Sequence, residues 1–231
     1  MFPFNKIWVV IPAFNEERTI GQVIDGLKAV GFTKILVVND GSSDSTESKV
    51  KELGEVVLIG HLINRGLGGA LVTGFQATLR LGAEWVVTCD ADGQHLAADV
   101  LRIARILVEE KLDLVVGSRF VEKDRQKKIP LKRKLYNHLG NIVTQILSGA
   151  KVTDSQSGLR GFSSQTLEKL DLGSDGMEIS SEIIRESFRS QLRYQEVPIK
   201  AIYSPYSLSK GQNFAKGIKT LYSLLLGEIL R

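Results

Sequence analysis

Apolar residues fall into short unbroken runs that alternate with stretches of helical period along the first half of the chain. Lys6 to Ile11 (with Ile-Trp-Val-Val-Ile), Lys34 to Asn39, Val56 to Ile59 and Glu84 to Cys89 read as strands, the last of them buried on both faces. Pro12 reads as the stop of the first strand. Between the runs, Ile20, Val23, Ile24 and Leu27 have helical spacing, and Gly31 closes that helix. Asp40 to Thr46 supplies a turn and capping residues for a second helix. A loop from Asn64 to Ala70 opens a third, which runs to about Leu81. Beyond Gln94, Val100, Leu101, Ala104, Leu107 and Val108 mark one face of a helix, and Leu114-Val115-Val116 a strand ending at Gly117-Ser118-Arg119.

In the second half, Leu135, Leu139, Val143 and Ile146 recur at helical spacing. Asp154 to Phe162 begins as a loop and becomes extended. Glu178 to Arg189 reads as a helix and Tyr194 to Ile199 as a strand. Phe214, Ile218, Leu221 and Leu225 share one face of a last stretch, with Lys216 and Lys219 elsewhere. This order predicts an α/β protein: one doubly wound, mostly parallel sheet flanked by helices, with amphipathic helices in the C-terminal half. Neither a repeat nor a low-complexity linker divides the 231 residues, so a single domain is expected.

Ligands on such sheets bind beyond the carboxyl ends of the strands. Pro12 to Glu17, Asp40 to Asp44 and Asp90 to Gln94 all stand at such ends, which argues for one shared site. Within Asp90-Ala91-Asp92-Gly93-Gln94-His95, two carboxylates one residue apart face the same way along an extended chain. They offer hard oxygen ligands suited to Mg²⁺ or Mn²⁺, and the natural guest is a cation carrying a diphosphate. The plain alternative is a polar turn whose aspartates cap the next helix. Gly66-Leu67-Gly68-Gly69-Ala70 departs from a dinucleotide fingerprint, because Leu71 stands where the third small residue belongs. It is either a helix start that lets backbone approach a diphosphate or a set of turn and packing glycines.

Charge adds one feature. The formal net charge is +4, yet Glu122 to Lys134 alone holds seven basic residues against two acidic ones. Basicity is therefore one local patch, fit for phosphates, an anionic membrane or nucleic acid, or else a solvated loop. Cys89, the single cysteine, excludes an intrachain disulfide and reads as a buried structural thiol. Met1 to Lys6 leads straight into a strand, so no signal peptide is expected, and no apolar run reaches the length of a bilayer span.

Taken in order, Pro12 to Glu17, Asp40 to Asp44, Asn64 to Ala70, Asp90 to His95, Gly117 to Arg119, Leu131 to Lys134, Asp154 to Arg160 and Ser209-Lys210 resemble a family 2 glycosyltransferase of the dolichol-phosphate mannose synthase type. The resemblance spans about 200 residues. It implies a GT-A fold, a nucleotide-sugar donor, a divalent metal (Mg²⁺ or Mn²⁺) and a polyprenyl phosphate acceptor. GDP-mannose is the favoured donor, with UDP-glucose and UDP-N-acetylglucosamine open. Position by position, it places Pro12, Phe14, Glu16 and Asp40 at the nucleoside, and Asp90, Asp92 and Gln94 on the metal. Arg119 and Arg133, with Lys132, would meet the acceptor phosphate or the donor's charged groups. Ser209 and Lys210 resemble a pair on a loop that closes over the donor. Residues 1–118 would form the nucleotide-sugar half and 119–231 the acceptor and membrane-facing half. Two departures stand out: Ala97 where the family often has proline, and Ser207 where a glycine is usual.

A lipid phosphate is ionised at neutral pH, so the reaction needs cations to position it and no general base; single displacement would invert the anomeric centre. The enzyme would sit peripherally on the cytoplasmic face of a membrane, or be held there by a membrane-anchored partner, with no role for nucleic acid. One alternative is transfer to a saccharide hydroxyl, with Asp154 or Glu178 as base. Another is a non-catalytic nucleotide- or membrane-binding protein.

Overall fold

The fold comes from a computed structural model that describes residues 2–122, 129, 131–202 and 206; for 131–133, 136, 147 and 148 it describes the backbone alone. The apolar runs become the strands β1 (Ile7–Ala13), β2 (Ile35–Asn39), β3 (Val57–Gly60), β4 (Trp85–Thr88) and β5 (Leu114–Ser118), joined by β6 (Arg160–Ser163) and β7 (Tyr194–Pro198). They form one seven-stranded sheet in the order β3-β2-β1-β4-β6-β5-β7. All pairings are parallel except those of β6, which runs antiparallel to both β4 and β5.

Alternation along β1 divides the core in two. Ile7, Val9 and Ile11 face a cluster with Ile20, Ile24 and Leu27 of α1 (Ile20–Ala29) and Val100, Ile103 and Leu107 of α4 (Ala97–Glu109). Trp8 and Val10 face the other side, against Ala70, Leu71 and Phe75 of α3 (Leu67–Arg80) and Ile179, Ile183 and Ile184 of α7 (Ile179–Arg189). Helix α2 (Thr46–Glu52) covers the first face at Val50, and α6 (Ser164–Lys169) follows β6. Burial of apolar surface on both sides, worth about 25 cal/mol per Å², is what holds a parallel sheet together.

One expectation about β1 is corrected. Pro12 does not stop the strand; it pairs in register with Val38. The reason is direction: Val10 accepts from Cys89 on the β4 side, so the Pro12 nitrogen two residues on faces that side too, past the last β1–β4 pair at Val10 and Thr88. The missing N–H falls where no ladder bond is due.

Helix α5 (Leu131–Ser148) carries the predicted apolar row, but of its members Leu135, Leu139 and Ile146 are 57%, 49% and 76% exposed and Val143 is half-buried, with Ile142 beside them also exposed. The row does not pack on the sheet. Among the described residues, no helix is long and apolar enough to cross a membrane.

Candidate active site

The exits of β1, β2 and β4 converge at one end of the sheet. The first two are laced together by polar bonds. Asn15, at a left-handed φ of 56°, donates its N–H to Ser42 Oγ (2.9 Å) and accepts from Ser43 N at Oδ1 (2.8 Å). Asparagine tolerates that backbone region better than most residues. Glu16 N–H bonds Thr46 Oγ1 at 2.8 Å, and Glu17 N–H bonds Asp44 Oδ2 at 3.2 Å. On this platform Phe14 presents a half-exposed ring beside the buried Glu16. Tyr206 donates to Glu16 Oε2 (2.9 Å) and to the Asn15 carbonyl (3.2 Å), and Arg18 sits over its ring.

Asp40, expected at the nucleoside, turns inward. It is buried and accepts from Arg65 N (2.9 Å), Gly66 N (2.8 Å) and His61 Nδ1 (2.7 Å). Its carboxylate therefore shapes the 61–66 loop. The glycine run beyond it is a packing device in this structure. The Asp175 carbonyl accepts from Gly68 N (2.7 Å) and Gly69 N (3.1 Å), and a methyl group on Gly68 would collide with the Ser174 carbonyl. Segment 174–176 occupies the place where a diphosphate would meet the start of α3.

At the β4 exit the two aspartates differ in environment. Burial opposes ionisation of Asp90, but the His95 hydrogen bond (3.1 Å) and the charges of His95, Arg119 and Arg160 outweigh it and hold the carboxyl below its ordinary value. Burial and then the charge of Asp90 push the Asp92 carboxyl up, against two hydrogen bonds from Gln94. Among the described residues no three or more His, Cys, Asp or Glu side chains converge as a ready-made cation cage. The donor set still fits a hard cation: two mutually repelling carboxylates and an amide, to be completed by diphosphate and water oxygens. The segment after β7 edges this loop, with His95 bridging Ala201 and Ile202 N bonding the Gln94 carbonyl at 2.9 Å. Ala97 is the first residue of α4, where proline is favoured but not required, so that departure leaves the helix start intact.

Across from the aspartates, Arg119 follows β5 and is clamped by Asp154, which is wholly buried. Nε and Nη2 donate to the two carboxylate oxygens at 2.7 Å each, and Arg119 N adds a third bond at 3.1 Å. Asn137 of α5 donates to the same carboxylate at 3.1 Å, and Asn141 donates to the Thr153 carbonyl and accepts from Ser155 N. Glu196 of β7 closes the network by accepting from Thr153 and Asp154 N–H groups. Bidentate pairing fixes the guanidinium plane. It also occupies Asp154, which is thus not placed to act as a base. Glu178 stands at the start of α7 with its carboxylate against Gly176.

Asp90, Asp92, Gln94, Arg119, Phe14, Glu16 and Pro12 thus lie around the strand ends. Ser209, Lys210, Lys123, Arg125, Lys127, Lys128 and the row Phe214, Ile218, Leu221 and Leu225 lie outside the described residues, as do the side chains of Lys132 and Arg133. Sequence reasoning missed Asp154 as a clamp, Glu196, Tyr206 and the burial of Arg160. A carboxylate in reach of an arginine 35 positions away leaves no local pattern.

Cys89 is buried, and burial together with the charges of Asp90 and Asp92 pushes its thiol up. Native protein should therefore alkylate at least roughly ten-fold more slowly than urea-unfolded protein with iodoacetamide at neutral pH. Equal rates would remove the thiol from the core.

Comparison with known proteins agrees with this geometry. The model of glycosyl transferase family 2 matches residues 8–171. A UDP-N-acetylglucosamine–dolichyl-phosphate N-acetylglucosaminyltransferase of Methanococcus voltae is 38% identical over 97% of this chain and 98% of its own length. An undecaprenyl-phosphate mannosyltransferase of Micrococcus luteus is 30% identical over 89% of this chain and 87% of its own. In fold, the chain is similar to glucosyl-3-phosphoglycerate synthase of Mycobacterium tuberculosis, crystallised with Mn²⁺, UDP and phosphoglyceric acid. That likeness has a TM-score of 0.71 and 22% identity, and it covers 95% of this chain and 78% of the other. The fold is GT-A, and on the family match and the two relatives aligned along nearly their whole length the chain belongs to glycosyl transferase family 2.

Proposed function

We propose that the chain transfers a sugar from a nucleotide-sugar to the phosphate of a polyprenyl phosphate, at a membrane surface, with Mg²⁺ or Mn²⁺ held by Asp90, Asp92 and Gln94. The observation that carries the reading is the opposition of two charge devices: paired carboxylates at the β4 exit, and Arg119 locked by the buried Asp154. When bound, the cation offsets charge on the departing diphosphate. Asp90, Asp92 and the amide of Gln94 would supply its protein oxygens. Pro12, Phe14 and Glu16 receive the nucleoside on the platform built by Asn15 and Asp44, and Asp40 acts on it through the 61–66 loop. Arg119 offers a fixed cation to the acceptor phosphate, with Arg133 and Lys132 as further candidates. The acceptor oxygen is already ionised, so no group need take a proton, and a single displacement inverts the anomeric centre.

The relatives' names support the acceptor class. They also move the donor preference: the relative named for UDP-N-acetylglucosamine is more similar than the one named for mannose, so that nucleotide-sugar ranks ahead of GDP-mannose. Polyprenyl phosphate should accept label while free polyprenol does not. Equal use of the two would contradict a site built for an ionised acceptor.

The exposed row of α5 supports a peripheral position at a membrane surface, which we place on the cytoplasmic face. Amphipathic helices of this kind lie in the headgroup region, and nearby basic residues each contribute about 1 kcal/mol on anionic lipid. The protein should sediment with anionic liposomes at low salt and be released as salt rises. Leu139→Glu with Ile146→Glu should abolish sedimentation. If the unaltered protein stays in the supernatant at low salt, a membrane-anchored partner replaces direct binding.

A further inference from the structure

Arg160 is 2% exposed on β6, in the middle of the sheet, where an aliphatic side chain would be the ordinary choice. Its β4 partner is Thr88, two residues before Asp90. Nη2 donates to the carbonyls of Ser155 (2.7 Å) and Ser180 (3.0 Å), while Nε is buried and has no hydrogen-bond partner among the described residues. Ser157 Oγ, also buried, has none either. Both residues line a narrow cleft together with Thr88, Asp90, Gly158 and Ser180. Burial draws the guanidinium down to about 10, against the charges of Asp154 and Asp90, so it stays a cation at neutral pH.

The segment 155–158 is pinned over this cleft. Thr88 Oγ1 donates to the Gly158 carbonyl at 2.6 Å and accepts from Arg160 N at 3.2 Å. Gly158 lies directly against Asp90: a methyl group there would meet both carboxylate oxygens and stand 2.7 Å from Cγ. The carboxylate is thus bounded by His95 Nε2 on one side and by the Gly158 backbone on another. A buried cation with a side-chain donor left over is costly unless it compensates nearby charge. The compensated charge here is that of Asp90 and Asp154.

We propose that Arg160 and Gly158 form the floor of the cation site: Arg160 is a positioning residue that holds the 155–158 segment, and through it the Asp90 carboxylate, in the orientation a divalent ion requires. The inference rests on the metal reading above. Partners that orient a ligand carboxylate typically change metal affinity roughly 10- to 100-fold when altered.

The test is Mn²⁺ binding to the purified full chain without donor, followed by electron paramagnetic resonance of the free ion. Wild type, Arg160→Lys and Gly158→Ala are compared, with circular dichroism and thermal unfolding on each. Arg160→Lys keeps the charge but not the planar guanidinium whose Nη2 donates to both carbonyls. Gly158→Ala leaves Arg160 untouched and displaces only the end of the Asp90 side chain, not backbone, so it should fold. Both variants should bind Mn²⁺ at least about ten-fold more weakly, Gly158→Ala with a thermal midpoint near that of wild type. Should Arg160→Lys fail to fold, the Gly158→Ala result decides. Mn²⁺ affinity within about two-fold of wild type in the folded variants overturns the inference and leaves the metal reading standing. No Mn²⁺ binding by wild type overturns both.

Discussion

Asp92→Asn should lower transfer on the order of 10³-fold or more while the protein melts at the same temperature as wild type or higher. The variant keeps shape and the hydrogen bond from Gln94 N, and removes the charge together with the acceptor of Gln94 Nε2. In the fold that charge is disfavoured by burial and then by Asp90. A carboxyl raised above its ordinary value weakens the fold as pH climbs past the ordinary aspartate range, because the unfolded chain ionises more readily. Asparagine has no such term, so its stability relative to wild type should improve from acid to neutral pH. Asp90→Asn should be as inactive but less stable, since Asp90 is held below its ordinary value by His95, Arg119 and Arg160 despite burial. The stabilising part of that interaction is present above the ordinary aspartate range and lost in acid. Transfer assays with thermal melts across pH separate the two. An Asp92→Asn protein active to within a few-fold of wild type would remove the cation from the mechanism.

Asp154→Ala should cost about 3–5 kcal/mol of unfolding free energy, the usual result of removing one partner of a buried ion pair, and should lower transfer at least roughly 100-fold. It releases both guanidinium bonds of Arg119 and the bond from Asn137, so β5 and α5 lose their common anchor. Asp154→Asn keeps one acceptor oxygen and should lie between wild type and alanine in both denaturant unfolding and turnover. That graded, parallel loss marks a positioning carboxylate. A base would behave differently: asparagine would match alanine in activity while stability hardly changed.

The alternation of two-sided apolar runs with helical stretches is legible in the sequence because both periods are local, and it is enough to bring three strand ends to one site. The aspartate pair is legible for the same reason, since Asp90 and Asp92 are adjacent along one strand exit. What the sequence hides depends on distant partners. Strand β6, Arg160 to Ser163, is legible only as the extended end of Asp154 to Phe162, because a buried arginine and a glycine replace the apolar run that would have fixed its place in the sheet. Its antiparallel insertion between β4 and β5 is a matter of tertiary pairing. Pro12 looks like a strand stop from its neighbours alone, because proline's effect depends on which adjacent strand its nitrogen faces. The glycines at 66–69 fit either a phosphate or a covering chain, and only segment 174–176 distinguishes them. Likewise the period of Leu135, Leu139 and Ile146 marks a face without naming what covers it.

The central claim is sugar transfer to a lipid phosphate by the paired carboxylates, and incorporation of label into an organic phase tests it most directly. Purified protein is incubated with polyprenyl phosphate, Mn²⁺ or Mg²⁺, and radiolabelled UDP-N-acetylglucosamine, GDP-mannose or UDP-glucose in separate reactions, then extracted with organic solvent. Label should enter the lipid phase from one donor, UDP-N-acetylglucosamine first in rank. It should require the metal and disappear with Asp92→Asn. Absence of lipid-linked label from all three donors, or incorporation undiminished by chelator and by Asp92→Asn, would contradict the account.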